Sequence, residues 1–208
     1  MSIHIVQLTD LHLQASANDL YKGINPDQHL QQCLQHLQDV DYDLLLLTGD
    51  LAHGASSQAY ERLQNHLTKL SVPWLWIPGN HDNDQLMLAA STQPVDQVKL
   101  VDLGHWKLLL INTTHAPDGC GAGSVSPAQL QQLHERLEAH PQSPILIVMH
   151  HNPVPVNSAW QDNIMLANAQ EFNQLVGAYP QVEAVLFGHI HQELDRIEQG
   201  IRYLGSPA

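Results

Sequence analysis

Trp74-Leu-Trp-Ile-Pro-Gly-Asn-His-Asp82 joins a short apolar run directly to a glycine and three polar side chains. The apolar run predicts a buried β-strand, because short apolar runs bounded by proline and glycine are typical of one. Three polar residues directly after the glycine are more than a turn requires, so a functional role is favoured over a structural one. In α/β proteins the functional site lies beyond the carboxyl ends of the strands, which is where these residues stand.

Four further apolar runs end in the same way. Asp10-Leu-His12 follows residues 3–8, Gly49-Asp50 follows residues 44–47, His150-His151 follows residues 145–149, and Gly188-His-Ile-His191 follows residues 185–187. Each segment alone has an ordinary structural explanation, namely a turn, a cap or a surface histidine pair. Five such strand ends in one chain indicate instead that their carboxylate and imidazole groups converge on one site.

The spacing within these segments supports convergence. Asp10 and His12 are two residues apart, as are His189 and His191, and residues two apart in an extended chain point the same way. We therefore expect each pair to reach one cluster. The glycines at positions 49, 79 and 188 are expected to let the chain turn sharply without a Cβ clash.

The rest of the chain alternates helical periodicity with apolar runs. Asn25-Pro26 predicts a helix start, and the buried stripe of that helix is expected to include Leu30, Cys33, Leu34 and Leu37. Further helices are predicted over residues 57–70, from a capping box at Ser126-Pro-Ala-Gln129, and over residues 168–178. Hairpins are predicted over residues 98–112 and 193–204. The mixture predicts one α/β domain over residues 1–208, with two sheets or one mixed sheet.

The charge of the chain restricts its partners. Eight Lys and Arg stand against 21 Asp and Glu, a formal net charge of −13, which disfavours binding to nucleic acid or to a lipid surface. The longest apolar runs are too short to span a membrane, and the first residues lack the features of a signal peptide, so a cytoplasmic location is expected. The two cysteines form no disulfide framework.

The order DxH, GD, GNHD, H and GHxH resembles the calcineurin-like metallophosphoesterase superfamily over about residues 3–205. A second set of segments resembles the bacterial class III 3',5'-cyclic-AMP phosphodiesterases. These segments are Gln7-Leu-Thr-Asp-Leu-His12, Gly23-Ile-Asn25, Thr48-Gly-Asp-Leu51, Trp160-Gln-Asp162 with Leu166 and Asn168, and Gly188-His-Ile-His-Gln-Glu193. The resemblance implies an αββα sandwich, with two mixed β-sheets flanked by helices.

Two adjacent metal sites are implied by the same resemblance. Asp10, His12 and His191 would bind one metal, Asn80, His150 and His189 the other, and Asp50 would bridge both. Carboxylate, amide and imidazole ligands suit iron, manganese or zinc. The resemblance favours Fe and Mn, and Zn remains an alternative.

The implied reaction is hydrolysis of 3',5'-cyclic AMP to 5'-AMP by a hydroxide that bridges the two metals. His81 would stabilise the transition state or protonate the leaving 3'-oxygen. Asp82 would either orient His81 or serve as a structural turn carboxylate. His151, next to the predicted ligand His150, would lie behind the ligands or face the substrate.

Three residues in loops have open interpretations. His53 and His115 could face the site, but a solvated loop histidine is favoured for each. Trp160 could stack on a nucleobase or cover the core.

Other functions remain open. The same metal centre could serve a different phosphodiester, a pyrophosphate or a phosphomonoester, and a metal-binding scaffold without catalysis is a third hypothesis. The partner is expected to be a small-molecule nucleotide, and a homodimer is allowed. The resembled group continues beyond the region of Leu204 to Ala208, so we expect a C-terminal extension to be missing here.

Overall fold

The computed structural model describes residues 2–54, 56–91, 93–94 and 97–208. Its strands are β1 (Ile5–Leu8), β2 (Leu44–Thr48), β3 (Trp74–Ile77), β4 (Lys99–Leu103), β5 (Trp106–Leu110), β6 (Ile145–Val148), β7 (Val182–Phe187), β8 (Leu194–Glu198) and β9 (Ile201–Gly205). Its α-helices are α1 (Pro26–His36), α2 (Ser57–Leu67), α3 (Asp84–Ala90), α4 (Pro127–Ala139), α5 (Ala159–Asn163) and α6 (Ala169–Gly177).

These strands form two sheets. One has the order β1-β2-β3 and is parallel, because α1 and α2 serve as the crossover connections between its strands. The other has the order β4-β5-β6-β7-β9-β8 and is mixed, with the β4–β5 and β8–β9 hairpins antiparallel at its two edges. The predicted α/β fold with two sheets flanked by helices is therefore confirmed, but of the two sheets that were predicted to be mixed only the larger one is, because crossover helices make the smaller sheet parallel.

Three hydrophobic clusters separate four layers. Alternate residues of β2 face opposite sides, so Leu45 and Leu47 pack with the buried residues of α1, α2 and α3, whereas Leu44 and Leu46 meet the second sheet. On the outer side of the second sheet, residues such as Ile147 pack against Leu133 of α4 and Phe172 of α6. The order is helices, sheet, sheet, helices, which is the predicted αββα sandwich.

One prediction about α1 is wrong. Cys33 is exposed, although it was expected on the buried stripe. The inward face of the helix is centred on Asp27 and Leu30, both buried, with Leu34 and Leu37 partly covered. Successive residues of a helix are rotated by 100°, which places Cys33 at the margin of that face. Because this short helix packs on one side only, a residue at the margin is left in solvent.

Within the described ranges, no helix combines the length and the apolar character needed to cross a membrane.

Candidate metal centre

The predicted site residues lie at the carboxyl ends of strands from both sheets. Asp10, Asp50 and Asn80 follow β1, β2 and β3, while His150 and His189 follow β6 and β7. The two sheets face one another across the cluster that contains Leu46 and Val148, so their strand ends meet. The site thus lies across the junction between the sheets.

The backbone conformation at the predicted ligands differs from what the spacing predicts. Asp10, His12, Asp50, His189 and His191 all have left-handed conformations, with φ of 54°, 47°, 54°, 69° and 51°. The argument from an extended chain is therefore wrong, although both pairs do reach the cluster. Each pair converges because its loop turns at both residues, and non-glycine residues adopt this conformation only at an energetic cost.

Glycines in the site are required by close packing as much as by turning. A Cβ on Gly79 would collide with the backbone nitrogen and carboxylate of Asp50, and one on Gly188 would collide with the Thr9 hydroxyl. Among the three predicted glycines, Gly49 has a positive φ, 96°, and its Cβ would also collide with His150. The expected turning role therefore holds for Gly49, while Gly79 and Gly188 permit neighbouring loops to approach.

The side-chain donors fall into two groups that share Asp50. Atoms that could hold a metal ion lie within 4.8 Å of one another in the set Asp10, His12, Asp50 and His191, and again in the set Asp50, His150 and His189. The two carboxylate oxygens of Asp50 face different groups. Oδ1 lies 3.4 Å from His150 Nε2, and Oδ2 lies 3.7 Å from His12 Nε2.

The second group presents lone pairs to a common point. His150 Nδ1 lies 2.8 Å from the Thr48 carbonyl oxygen, and because a carbonyl only accepts, Nδ1 carries the proton. By the same reasoning His189 Nε2, 2.9 Å from the Ile164 oxygen, carries its proton. His150 Nε2 and His189 Nδ1 then face each other at 3.3 Å, and Asn80 Oδ1 lies 3.1 Å from His150 Nε2. Converging unprotonated nitrogens and oxygens fit a metal cation.

The first group has a similar arrangement. Asp10 Oδ2 accepts hydrogen bonds from the Thr9 hydroxyl and the His189 amide, so its other oxygen is directed at His191 Nε2, 3.1 Å away. His191 Nε2 and His12 Nε2 are 3.4 Å apart. One carboxylate oxygen and two imidazole nitrogens therefore surround a point next to Asp50 Oδ2.

Burial and charge set the protonation of these side chains in the metal-free protein. Burial raises the pKa of Asp50 to about 7, and the nearby carboxylates of Asp10 and Asp82 add to the effect. The pKa of His150 is raised, because the charges of Asp50 and Asp10 outweigh its burial. Burial lowers the pKa of His12 and of His189 to about 3. Without a metal, the raised pKa values thus favour a proton on Asp50 and a second proton on His150, at the Nε2 that is free to bind a metal when the ring is neutral.

Metal binding is therefore expected to release protons and to strengthen as the pH rises. Below pH 7 Asp50 is protonated and a metal must displace that proton, so affinity should fall by roughly tenfold per pH unit for each proton displaced. Metal-free protein can be titrated with Mn²⁺ in a calorimeter between pH 6 and 8, in buffers of different protonation enthalpy. This titration measures the number of protons released and the affinity for the metal. The exposed His36→Gln variant should behave as the unmodified protein, and equal affinity at pH 6 and pH 8 would contradict the expectation.

His81 lies beside both groups. Its backbone N–H donates to Asp50 Oδ1 at 2.9 Å, and its ring packs edge-on against His12 with centroids 5.0 Å apart. Burial lowers its pKa, and the neighbouring His53 and His150 lower it further. The imidazole is therefore neutral near pH 7 and can donate one hydrogen bond into the cleft.

His53 lies at the site, which was the less favoured of its two sequence interpretations. Its ring centroid lies 4.7 Å from those of Tyr21 and His81 and 5.5 Å from that of His12, rather than in open solvent. Its position three residues after Asp50 is the only signal that could have placed it there. His115, in contrast, is exposed and pairs through its backbone with Ser124, as expected of a loop histidine.

Asp82 holds two ligand-bearing loops together. Its carboxylate accepts hydrogen bonds from the backbone amides of Gly79, Leu51 and Ala52 and from the Tyr60 hydroxyl, at 2.8–3.0 Å. Of the two predicted roles, these bonds fit the structural carboxylate. They fix the loop after β3 against the loop after β2.

His151 lies behind the predicted ligands His150 and His189. It is fully buried, and its ring lies against those of His150 and His189. Its Nδ1 is 2.7 Å from the Thr113 hydroxyl and its Nε2 is 3.0 Å from the Gly121 carbonyl oxygen. These contacts favour the supporting role over the substrate-facing one, and they fasten the segment around Gly121 to the metal centre.

A cleft of about 490 Å³ opens over the two groups. Its lining includes Asn80, His81, His191, Lys22, Gly121 and Trp160. Trp160 is 64 % exposed, so it does not cover the core, which was one of its two interpretations. The volume is in the range of small-molecule sites.

Comparisons with known proteins show which phosphoesterases the chain is similar to. The model of the calcineurin-like phosphoesterase family matches residues 3–193. A 3',5'-cyclic-nucleotide phosphodiesterase of Nostoc sp. is 38% identical over 214 residues, covering 100% of this chain and 79% of the relative. The 3',5'-cyclic adenosine monophosphate phosphodiesterase CpdA of Escherichia coli K12 is 34% identical over 210 residues, covering 99% of this chain and 76% of the relative.

Among solved structures, a dimetal phosphatase from Danio rerio superposes with a TM-score of 0.79 over 99% of this chain and 87% of that one. The two sequences are 14% identical, so the likeness concerns the fold.

Proposed function

Because the chain belongs to the calcineurin-like phosphoesterase family, we propose that it hydrolyses 3',5'-cyclic AMP to 5'-AMP at a two-metal centre. The convergence of lone pairs from His150, His189 and Asn80 beside the shared carboxylate of Asp50 carries the metal-dependent part of the proposal. The substrate assignment is supported by the named activities of the relatives from Nostoc sp. and Escherichia coli.

The proposed ligands are those expected from the motifs. Asp10, His12 and His191 would hold one metal, Asn80, His150 and His189 would hold the other, and Asp50 would be shared between them. When bound, the metal pair supplies an activated water and the positive charge that an anionic phosphodiester requires. Fe and Mn are the proposed metals and Zn is the alternative, since all three accept imidazole and carboxylate ligands.

His81 acts on the leaving side of the reaction. Water attacks phosphorus, the bond from phosphorus to the 3'-oxygen breaks, and that oxygen gains a proton. Because burial favours the neutral imidazole, His81 donates a hydrogen bond to the oxygens on which charge develops. Of the two predicted roles, stabilising the transition state is thus preferred over direct proton donation.

A small anionic substrate fits the surroundings of the site better than a nucleic acid. Lys22 is the one Lys or Arg side chain among the described residues that line the cleft, and the whole chain has a net charge of −13. A nuclease would need several cations along a groove. A single domain over residues 1–208 is a further proposal, which predicts one cooperative unfolding transition. A homodimer is another proposal, and sedimentation analysis tests it.

The decisive experiment is incubation of Mn²⁺-loaded protein with 3',5'-cyclic AMP and chromatographic separation of the products. The expected product is 5'-AMP. If cyclic AMP stays intact while other phosphodiesters, pyrophosphates or phosphomonoesters are cleaved, the metal centre is retained and the substrate assignment is overturned. Protein that is loaded with metal and inactive on every ester would favour the scaffold alternative.

A further inference from the structure

Trp160 is a large aromatic side chain that the fold leaves in the cleft wall. It is the second residue of α5 and is 64 % exposed, whereas its neighbour Gln161 is buried. An indole gains more from burial than most side chains, so its exposure beside a ligand-sized cleft indicates a surface that a ligand covers.

Polar contacts fix the short helix that carries Trp160. Asp162 Oδ1 accepts a hydrogen bond from the Val156 amide at 2.7 Å, and Gln161 Nε2 donates to the Ile190 carbonyl at 3.1 Å. The Ile164 carbonyl, just after the helix, accepts the hydrogen bond from His189 at 2.9 Å. None of these bonds uses the indole, so its ring is free while its backbone is held.

The same contacts relate Trp160 to the metal centre. Ile190 lies between the proposed ligands His189 and His191, and it receives its bond from the residue next to Trp160. The helix is therefore attached on two sides to the loop that follows β7. A flat aromatic surface is thus held at a set position relative to the place where a phosphate would bind.

We propose that Trp160 is the stacking surface for the nucleobase of the substrate. The inference rests on the proposed function, because it requires that the phosphate of a nucleotide bind at the metal centre. Stacking uses the face of the base, which all four bases have, so the chemistry selects nucleotides over diesters without a base and does not choose adenine over guanine.

The substitution Trp160→Ala is expected to raise the KM for 3',5'-cyclic AMP by about 10- to 100-fold, with kcat changed less than about threefold. Trp160→Phe should retain most of the affinity, since a smaller ring still stacks. For ribose 3',5'-cyclic phosphate, which has no base, wild type and Trp160→Ala should have the same KM. Trp106→Ala, on the β4–β5 hairpin away from the cleft, is the matched control.

Binding can be measured without turnover. Titration with 5'-AMP should quench indole fluorescence saturably in the wild type and in Trp106→Phe, and this quenching should be lost in Trp160→Phe. Preserved quenching in Trp160→Phe, an unchanged KM in Trp160→Ala, or an equal rise in KM for the substrate without a base would overturn the proposal. If cyclic AMP is not cleaved, the proposed function fails, and the quenching experiment still decides whether Trp160 stacks on a nucleotide.

Discussion

Replacing His81 by alanine is expected to lower kcat for cyclic AMP hydrolysis by about 100- to 1,000-fold, while the metal content stays at two ions per chain. The side chain of His81 faces the cleft, and its link to Asp50 runs through its backbone amide, which alanine retains. The substitution therefore removes the hydrogen bond to the developing charge without removing a proposed ligand. Steady-state kinetics and elemental analysis of the same preparation measure both effects.

The exposed loop histidine offers the control for this variant. His115→Ala removes an imidazole of the same chain at a position outside the cleft lining, and its kcat should stay at the wild-type value. A kcat for His81→Ala within threefold of wild type would remove His81 from the reaction. A parallel loss of metal would show that the residue supports the centre rather than the transition state.

The substitution Asp50→Asn should have the larger effect. Asparagine keeps the size of the side chain and the oxygen that accepts from the His81 amide, but it removes the charge that two cations would share. Metal content is expected to fall to one ion or fewer, and kcat/KM to fall by about 1,000-fold or more, because the two-metal arrangement contributes several kcal/mol.

In the absence of metal, the Asp50→Asn substitution should stabilise the fold, although it removes activity. Burial raises the pKa of Asp50 in the folded protein from 3.8 to about 7, so the folded state binds this proton more tightly than the unfolded state. The carboxylate therefore begins to destabilise the fold as the pH rises above 3.8, and the effect is complete above about pH 7. At pH 8 the metal-free variant should unfold at a higher temperature than metal-free wild type.

Thermal unfolding in the presence of a chelator measures this difference, with Asp19→Asn as the control because Asp19 is exposed. An Asp50→Asn variant that binds two ions normally would rule out the bridging role. Equal unfolding temperatures at pH 8 would contradict the assigned effect of burial on Asp50.

The parts of the fold that were predictable are those with a strong local signal. Apolar runs such as Trp74–Ile77 agree with the observed strand, and Asn25 and Ser126 cap α1 and α4 as the sequence indicates. Periodicity and caps are local properties, so the sequence alone reports them. The meeting of the strand ends was also predictable, because it follows from the architecture of α/β sheets.

Short and long-range features were not predictable in the same way. The helices α3 and α5 have seven and five residues, too few for a periodic pattern. Gln129 was expected to complete a capping box, but its side-chain amide instead pairs with the backbone of Asn112 on another segment. The place of His53 beside His81 likewise depends on how two loops pack, which no local pattern records.

The left-handed backbone at five of the proposed ligands has a consequence for how this chain can change under selection. Each such non-glycine residue carries strain of about 1–3 kcal/mol, which glycine would relieve. Selection for heat resistance and selection for activity therefore act in opposite directions at His12 and His191, whereas the side chains of Asp10, Asp50 and His189 also hold backbone groups of neighbouring segments. A laboratory evolution experiment that rewarded only survival of heat by the metal-free protein would be expected to accumulate glycine at positions 12 and 191. The selected variants would be more heat-resistant than the parent protein and would lack a metal centre.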